Sequence, residues 1–256
     1  VLSNYTLVQP TTTTGNITKA PLGITVTGIY SGTTTITPTA FTVNGLVNNE
    51  TIDTLSSATV SNPNVNTSAK YVNSVVIGSG SASINNYVIT QAFNPNAGVT
   101  ENTVYINPKA LTISGSKTYD GSTSVGAGAI IFGGLVGSQT LTYNSATVSS
   151  VNVGSDKWIS GVSLQDGANG GIASNYYTPS GTGASVSNTF AVTPKVVNLS
   201  ATKTYDATTV LTGAVTITTG VGSESLTYSG ATAISANVLG TNYINAITLA
   251  DGGNGG

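Results

Sequence analysis

Apolar and polar residues alternate along most of this chain, which is the pattern of half-buried β-strands. After Lys109, for example, Leu111 and Ile113 are the apolar members of one alternation, and Leu141 and Tyr143 belong to another. Stretches rich in Gly, Asn, Ser and Asp separate these runs. No window of the chain shows the 3.6-residue period of an amphipathic helix. The pattern therefore predicts an all-β fold of short strands joined by turns.

The alternation also recurs with a long period. A lysine precedes an apolar strand three times, at Lys19, Lys109 and Lys195, so that the spacings are 90 and 86 residues. Later landmarks return in the same order, among them the strings "LSSATVS", "NSATVSS" and "SGATAIS". Such internal similarity is typical of repeat proteins, in which each unit contacts only its neighbours. We predict a tandem array of small β-rich modules that forms an elongated rod or fibre.

This spacing divides the chain into a first, a second and a third segment, which are residues 19–108, 109–194 and 195–256. The first two continue through an "NY" string into a closing apolar strand, represented in the second segment by Phe190 and Val192. The third stops before this stretch, and residues 1–18 contain its equivalent, which begins "VLSNY". We therefore predict that residues 1–18 are the C-terminal strand segment of a preceding or neighbouring-copy module. The third segment is then a module that lacks its closing strand.

The string Lys-Thr-Tyr-Asp occurs twice, beginning at Lys117 and at Lys203. A catalytic motif is normally needed once, whereas a recurring structural unit repeats its turn chemistry. Asp followed by Gly is typical of tight turns with positive φ, and Asp side chains accept hydrogen bonds from turn amides two residues on. We predict this structural role for Asp120 and Asp206.

Aromatic residues occupy two matching positions in every segment. The first position is the end of the first strand, at Tyr30, Tyr119 and Tyr205. The second lies about 40 residues later, at Tyr71, Trp158 and Tyr243. Because large aromatic rings commonly dominate small cores, we predict that these six residues anchor one core in each segment. The alternative is a platform of exposed rings that binds carbohydrate.

The composition excludes most kinds of chemistry. Of the 256 residues only 6% are charged, the net charge is −2, and Cys, His, Met and Arg are absent. Without Cys or His there is no disulfide, thiolate metal site or conventional nucleophilic triad. The nine carboxylates are scattered singly, whereas glycoside hydrolysis needs two close together. We predict that the chain is not an enzyme and that, having no basic patch, it does not bind nucleic acid.

Two Gly-rich strings, "DGANGG" from Asp166 and "DGGNGG" from Asp251, faintly resemble calcium-binding turns. Each offers a single carboxylate, whereas calcium takes six to eight oxygen ligands, often from several carboxylates. We therefore predict Gly-rich hairpin turns and no cofactor. Asp166 and Asp251 remain as candidates for calcium ligands.

Several of these strings resemble a known family. "KTYDG" and "KTYDA", the "SATVS" stretch and the "NY" before a closing strand are similar to YDG domains. The first segment, which has "GIYSG" and lacks an aspartate at the position of Asp120, is more similar to the related MBG domains. Both domains occur in tandem in large bacterial surface and secreted proteins, including haemagglutinin-like adhesins of two-partner secretion systems. The resemblance implies an extracellular location, at the bacterial surface or in a secreted fibre.

These observations lead us to expect a structural repeat region of an extracellular bacterial adhesin or fibre, acting in adhesion, spacing or biofilm matrix. Three versions stay open: a passive stalk, a filament that self-assembles head to tail by strand complementation, and a lectin-like module that binds carbohydrate or another surface. The expected partners are copies of the chain or adjacent repeats, and in the third version glycans or host and abiotic surfaces. No apolar run approaches the roughly 18 residues of a membrane span, so none is expected.

Overall fold

The computed structural model describes residues 2–6, 15–89, 102–179, 181 and 183–256. These residues form nineteen β-strands and three short 3₁₀ turns, and none of them lies in an α-helix. The 3₁₀ turns are at Leu2–Asn4, Ile84–Asn86 and Ala173–Asn175. No helix among the described residues is long or apolar enough to cross a membrane. The predicted all-β fold is confirmed.

The strands are numbered here in chain order. The first eight are β1 Ala20–Ile29, β2 Thr35–Ile36, β3 Pro38–Asn44, β4 Thr54–Val60, β5 Val72–Ser79, β6 Tyr87–Ile89, β7 Asn102–Asn107 and β8 Lys109–Ala110. The next seven are β9 Thr112–Thr118, β10 Ile130–Gly133, β11 Leu141–Val148, β12 Gly154–Lys157, β13 Ile159–Asp166, β14 Tyr176–Tyr177 and β15 Phe190–Thr193. The last four are β16 Asn198–Ala201, β17 Val215–Thr218, β18 Thr227–Ala233 and β19 Ile244–Ala250.

Contacts between residues divide the chain into two compact units. The first unit comprises Val1–Ala110, Val136–Gln139 and Asn169–Tyr177, and the second comprises Leu111–Leu135, Thr140–Ala168 and Thr178–Gly256. The predicted partition into three segments does not coincide with these units, because parts of residues 109–194 belong to each of them, and it stays a prediction. Part of the predicted strand segment 1–18, namely residues 1 and 7–14, lies outside the described residues.

In the first unit, β1 is the central strand. It pairs antiparallel with β3 and parallel with β6 and β7. Leu22, Ile24 and Val26 of β1 are completely or almost completely buried, because alternate residues of a strand share one face. A separate sheet has the order β2–β4–β5 and contributes the buried Val60 and Val72.

In the second unit, one sheet has the order β10–β9–β15–β12, and β11 pairs with β13. Their apolar positions meet in a core cluster in which Phe190 of β15 packs with Ile113, Ile130, Val148 and Ile159. The remaining strands form two antiparallel pairs, β16–β17 and β18–β19. Among the described residues no further strand pairs with β16.

Candidate strand-acceptor site

Each of the first two segments ends in a strand that pairs in parallel with the first strand of the same segment. In the first segment, Ile24–Ile29 of β1 pairs residue by residue with Asn102–Asn107 of β7. In the second segment, Ser116–Thr118 of β9 pairs with Ala191–Thr193 of β15, whose other edge pairs antiparallel with β12. We refer to β7 and β15 as the closing strands.

A buried asparagine fixes each closing strand at its beginning. The side chain of Asn102 accepts a hydrogen bond from the Val72 N–H at 2.7 Å and donates one to the Val72 carbonyl at 3.0 Å. Asn188 makes the same pair of bonds with the backbone of Ile159, at 2.9 and 3.0 Å. Both asparagines are fully buried, so their loss would leave buried backbone groups without these partners. The two bonds set the register of the closing strand.

Sequence reasoning did not identify Asn102 and Asn188. Both begin a common string, read as "NTVYINPK" and "NTFAVTPK", in which Asn precedes Pro by six residues. Asn is frequent in this chain and is typical of turns, so a single Asn attracts no attention. The fixed spacing to Pro108 and Pro194 was the available signal.

A tyrosine shortly before each closing strand makes a second recurring contact. The Tyr87 hydroxyl donates to the Glu50 carboxylate and accepts from the backbone N–H three residues before Glu50, at 3.1 Å. The Tyr176 hydroxyl donates to Gln139 Oε1 and accepts from the backbone N–H three residues before Gln139, also at 3.1 Å. The hydrogen bond to Glu50 raises the pKa of Tyr87, because the carboxylate favours the protonated phenol. Glu50 and Gln139 thus hold corresponding positions.

The tyrosine that ends the first strand reaches this same acceptor position in the following segment. Gln139 Nε2 donates to the Tyr30 hydroxyl at 2.9 Å, and the rings of Tyr30 and Tyr176 meet edge-on with centroids 5.3 Å apart. Tyr119 donates to Glu224 Oε1 at 2.6 Å, and this bond raises the pKa of the Tyr119 phenol. Gln139 and Glu224 are therefore junction residues, each held by a tyrosine from the segment before.

The Lys-Thr-Tyr-Asp strings form closed turns. Lys117 Nζ lies 2.7 Å from Asp120 Oδ1 and donates to two carbonyls of its turn. Lys203 makes the corresponding contacts, with Asp206 Oδ1 at 2.6 Å, and this bond lowers the pKa of Asp206 to about 2. Asp120 and Asp206 each accept the N–H two residues on, at 3.0 and 2.9 Å. The predicted turn role of both aspartates is confirmed.

The six predicted core anchors lie in different environments. Four of them are covered to some degree, with Tyr30 buried and Tyr71, Tyr119 and Trp158 half-buried. The Trp158 indole donates to the Gly181 carbonyl at 2.7 Å, and Tyr119 packs against the core cluster of the second unit. Tyr30 meets Tyr176 rather than Tyr71.

Tyr205 and Tyr243 are instead exposed, by 58% and 60% of their surface. No strand among the described residues covers these two rings, and their role as core anchors stays a prediction. They line an open groove of about 670 Å³, together with Leu199, Val238 and Leu239. Polar and apolar side chains both line this groove.

The groove lies where the second segment holds its closing strand. Leu199 corresponds in sequence to Ile113, which bridges to Asn188. Leu199 is 37% exposed, whereas Ile113 is only 2% exposed. β16 ends at Ala201, whereas β9 extends three residues beyond the corresponding position. Those three residues of β9 are the ones that pair with β15. Residues 239–242, the counterpart of β12, are likewise not in a strand.

A second cavity of about 290 Å³ borders Glu224 and Lys195. In the second segment the corresponding residues are Gln139 and Lys109. Gln139 hydrogen-bonds Tyr176, and Lys109 pairs with Tyr176 between β8 and β14. This cavity therefore occupies the position that Tyr176 fills in the second segment, and we refer to it as the tyrosine socket.

The two candidate calcium ligands have corresponding places. Asp166 ends β13, and Asp251 directly follows β19. Their carbonyls accept hydrogen bonds from the Thr142 and Thr227 hydroxyls, at 3.1 and 2.7 Å. The described part of the chain contains no group of three or more Asp, Glu, His or Cys that could hold a metal ion. Asp166 and Asp251 stay candidates for calcium ligands, with no further carboxylates grouped around them among the described residues.

Comparison with known proteins identifies a domain inside the chain. Residues 106–183 match the YDG domain family. The YDG match includes the Lys117 turn and strands β9–β14, and it ends before Asn188 and β15. No curated protein and no solved structure matches the chain significantly. The residues that line the groove lie outside the YDG match, whereas the lining of the tyrosine socket includes Tyr119 from within it.

Proposed function

We propose that this chain is a load-bearing structural region of an extracellular bacterial adhesin or fibre, acting in adhesion, spacing or biofilm matrix and without enzymatic activity. The observation that carries the proposal is the parallel pairing between the first strand of a segment and its closing strand. In the first segment six consecutive residues of β1 pair with six of β7.

Parallel pairing determines how a segment responds to a pulling force. The chain enters the first segment at the start of β1 and leaves it at the end of β7. When these two ends are pulled apart, β1 and β7 must slide along each other. The evenly spaced bonds of a parallel ladder are then loaded together, and bonds loaded together resist more force than bonds that break one at a time. β9 and β15 have the same arrangement.

The asparagine contacts add resistance at the beginning of each ladder. Asn102 and Asn188 tie the closing strand to β5 and β13, which are not part of the parallel pair. A strand that slides must break these buried bonds as well as the ladder. The YDG match supports the extracellular setting, since the resemblance implies large secreted surface proteins.

Single-molecule pulling of the full chain tests the proposal. We expect Asn102→Ala to lower the force at which the first segment unfolds, because the closing strand loses two buried hydrogen bonds. The matched control is Asn73→Ala, which removes an exposed asparagine of β5. If Asn102→Ala and Asn73→Ala unfold at the same force as the wild type, the closing strand does not bear the load.

A carbohydrate-binding function is the second candidate, and one observation favours it. Tyr205 and Tyr243 are exposed and line the same groove, and exposed aromatic rings can stack on sugars. Binding of the full chain to a glycan array, lost in Tyr243→Ala and retained in a control at the exposed Tyr105, would support this function. Absence of any glycan signal would leave the load-bearing role as the better account.

A further inference from the structure

We propose that the first segment stabilises the second through a joint of interlocking side chains, so that the two segments open together and not as independent domains. The joint connects Tyr30 and Gly32 of the first segment with two loops of the second, Val136–Gln139 and Asn169–Tyr177. Both loops belong to the same compact unit as the first segment. The inference adds coupling between segments to the proposed load-bearing role. Its test measures amide exchange and not force, so that either proposal can fail without the other.

The closing strand of the first segment holds the tyrosine of the joint in place. β7 ends at Asn107, whose carbonyl accepts a hydrogen bond from the Tyr30 N–H at 2.9 Å. In the second segment, Thr193 ends β15 and accepts from the Tyr119 N–H at 2.8 Å. The backbone of each tyrosine is therefore fixed by the closing strand of its own segment. A closing strand that detaches releases this tyrosine.

The side chain of Tyr30 contacts both loops of the second segment. Its hydroxyl accepts a hydrogen bond from Gln139 Nε2 at 2.9 Å, and its ring meets the Tyr176 ring edge-on. The loops are also bonded to each other, because Tyr176 donates to Gln139 and Asn169 Nδ2 donates to the Ser138 carbonyl at 2.9 Å. Displacement of the Tyr30 ring therefore removes a contact from each of the two loops.

A glycine two residues after Tyr30 allows the close approach of the first loop. Gly32 has φ +76°, a backbone conformation that favours glycine. A β-carbon at this position would lie 2.6 Å from Val136 Cγ1, which is closer than two carbon atoms can pack. The joint thus needs the absence of a side chain at Gly32.

The same geometry recurs between the second and third segments. Tyr119 donates to Glu224, which corresponds to Gln139. Gly121, two residues after Tyr119, has φ +73°, and a β-carbon there would lie 2.8 Å from Val221 Cγ1. Val221 precedes Glu224 by three residues, as Val136 precedes Gln139. Because both junctions are built alike, the contact is a feature of how segments follow one another and not an incidental touch.

A second contact joins the first segment to the loop Asn169–Tyr177. Asn175 is fully buried, its Oδ1 accepts from the Val65 N–H at 2.8 Å, and its Nδ2 donates to Asn64 Oδ1 at 2.9 Å. The buried Lys70 ammonium donates to the carbonyls of Asn64 and Val65, at 2.6 and 2.9 Å. Since a buried polar side chain is costly without its partners, Asn175 is stabilised by the folded first segment.

These contacts cross the boundary of the YDG match. Both loops lie within residues 106–183, whereas Tyr30, Gly32 and residues 64–65 lie outside them. In repeat architectures the interface between neighbouring units contributes to the stability of each. The matched domain therefore depends on the preceding segment for its full stability.

Hydrogen–deuterium exchange of the full chain, read by mass spectrometry, tests the coupling. Tyr30→Phe keeps the buried ring and removes the hydroxyl that Gln139 contacts. We expect β11 and β13, the strands next to the two loops in sequence, to exchange roughly fivefold faster, as the loss of one hydrogen bond predicts. The matched control is Tyr105→Phe, at an exposed ring of the first segment, and it should exchange like the wild type.

A second variant perturbs the first segment away from the joint. Asn102→Ala removes the two bonds to Val72 that hold the closing strand. If the segments are coupled, exchange becomes faster in β11 and β13 as well as in β1, and this increase is smaller when Tyr30→Phe is already present. Wild-type exchange rates in β11 and β13 for either variant, or an equal increase in Tyr105→Phe, would overturn the inference.

Discussion

Asn188→Ala should destabilise the second unit more than its small change in volume suggests. The substitution removes the acceptor of the Ile159 N–H and the donor to the Ile159 carbonyl. Asn188 is fully buried and Ile159 almost fully buried. Each buried group left unsatisfied costs about 1–3 kcal/mol, so we expect a loss of roughly 3 kcal/mol in the free energy of unfolding. For a chain of this size that corresponds to a fall of roughly 6–12 °C in Tm.

The assay is urea or thermal unfolding followed by tryptophan fluorescence. Trp158 is the single tryptophan and directly precedes Ile159, so its emission reports on the place where Asn188 acts. Asn144→Ala, at an exposed asparagine of β11, is the matched control and should change the free energy of unfolding by less than about 0.5 kcal/mol. An Asn188→Ala loss no larger than the control loss would refute the role assigned to these buried bonds.

Three further predictions concern the turns and junctions. Asp206 has a pKa lowered from 3.8 to about 2. Its contribution to stability is therefore present above pH 4 and is lost as the pH falls towards 2. NMR titration of the carboxyl group measures this pKa, and Lys203→Gln should return it towards 3.8. Tyr119→Phe removes the bond to Glu224 and should cost about 1 kcal/mol in chemical denaturation, whereas Tyr105→Phe, at an exposed ring, should cost almost nothing. Ala207 has φ +61°, at the position that Gly121 holds in the other Lys-Thr-Tyr-Asp turn. Ala207→Gly should therefore stabilise the third segment by up to about 1 kcal/mol. An unchanged or lower Tm would count against backbone strain at this turn.

The all-β class could be predicted from the sequence because it depends on local side-chain alternation, as at Leu111 and Ile113, the second of which lies in β9. The turn role of Asp120 could be predicted for the same reason, since its partner is two residues away. The pairing of β9 with β15 could not, because the partners are separated by more than 70 residues. No local pattern states which distant strand is the neighbour, or that it runs parallel.

The environments of the aromatic residues show the same limit. Tyr119 was predicted as a core anchor, and it packs against the core cluster, but its hydroxyl also reaches Glu224, 105 residues away. Tyr205 stands at the matching sequence position and is exposed in the described chain. Burial of an aromatic side chain is a property of the assembled sheet and not of the string in which it occurs.

The most direct test of the account compares the three segments within one pulled molecule. The full chain is stretched from its ends, and each unfolding event is assigned by its gain in contour length. The account predicts that the third segment, which gives the shortest gain and has no closing strand, unfolds at the lowest force. A third segment that resists as much force as the first two without the peptide would contradict the claim that closing strands bear the load.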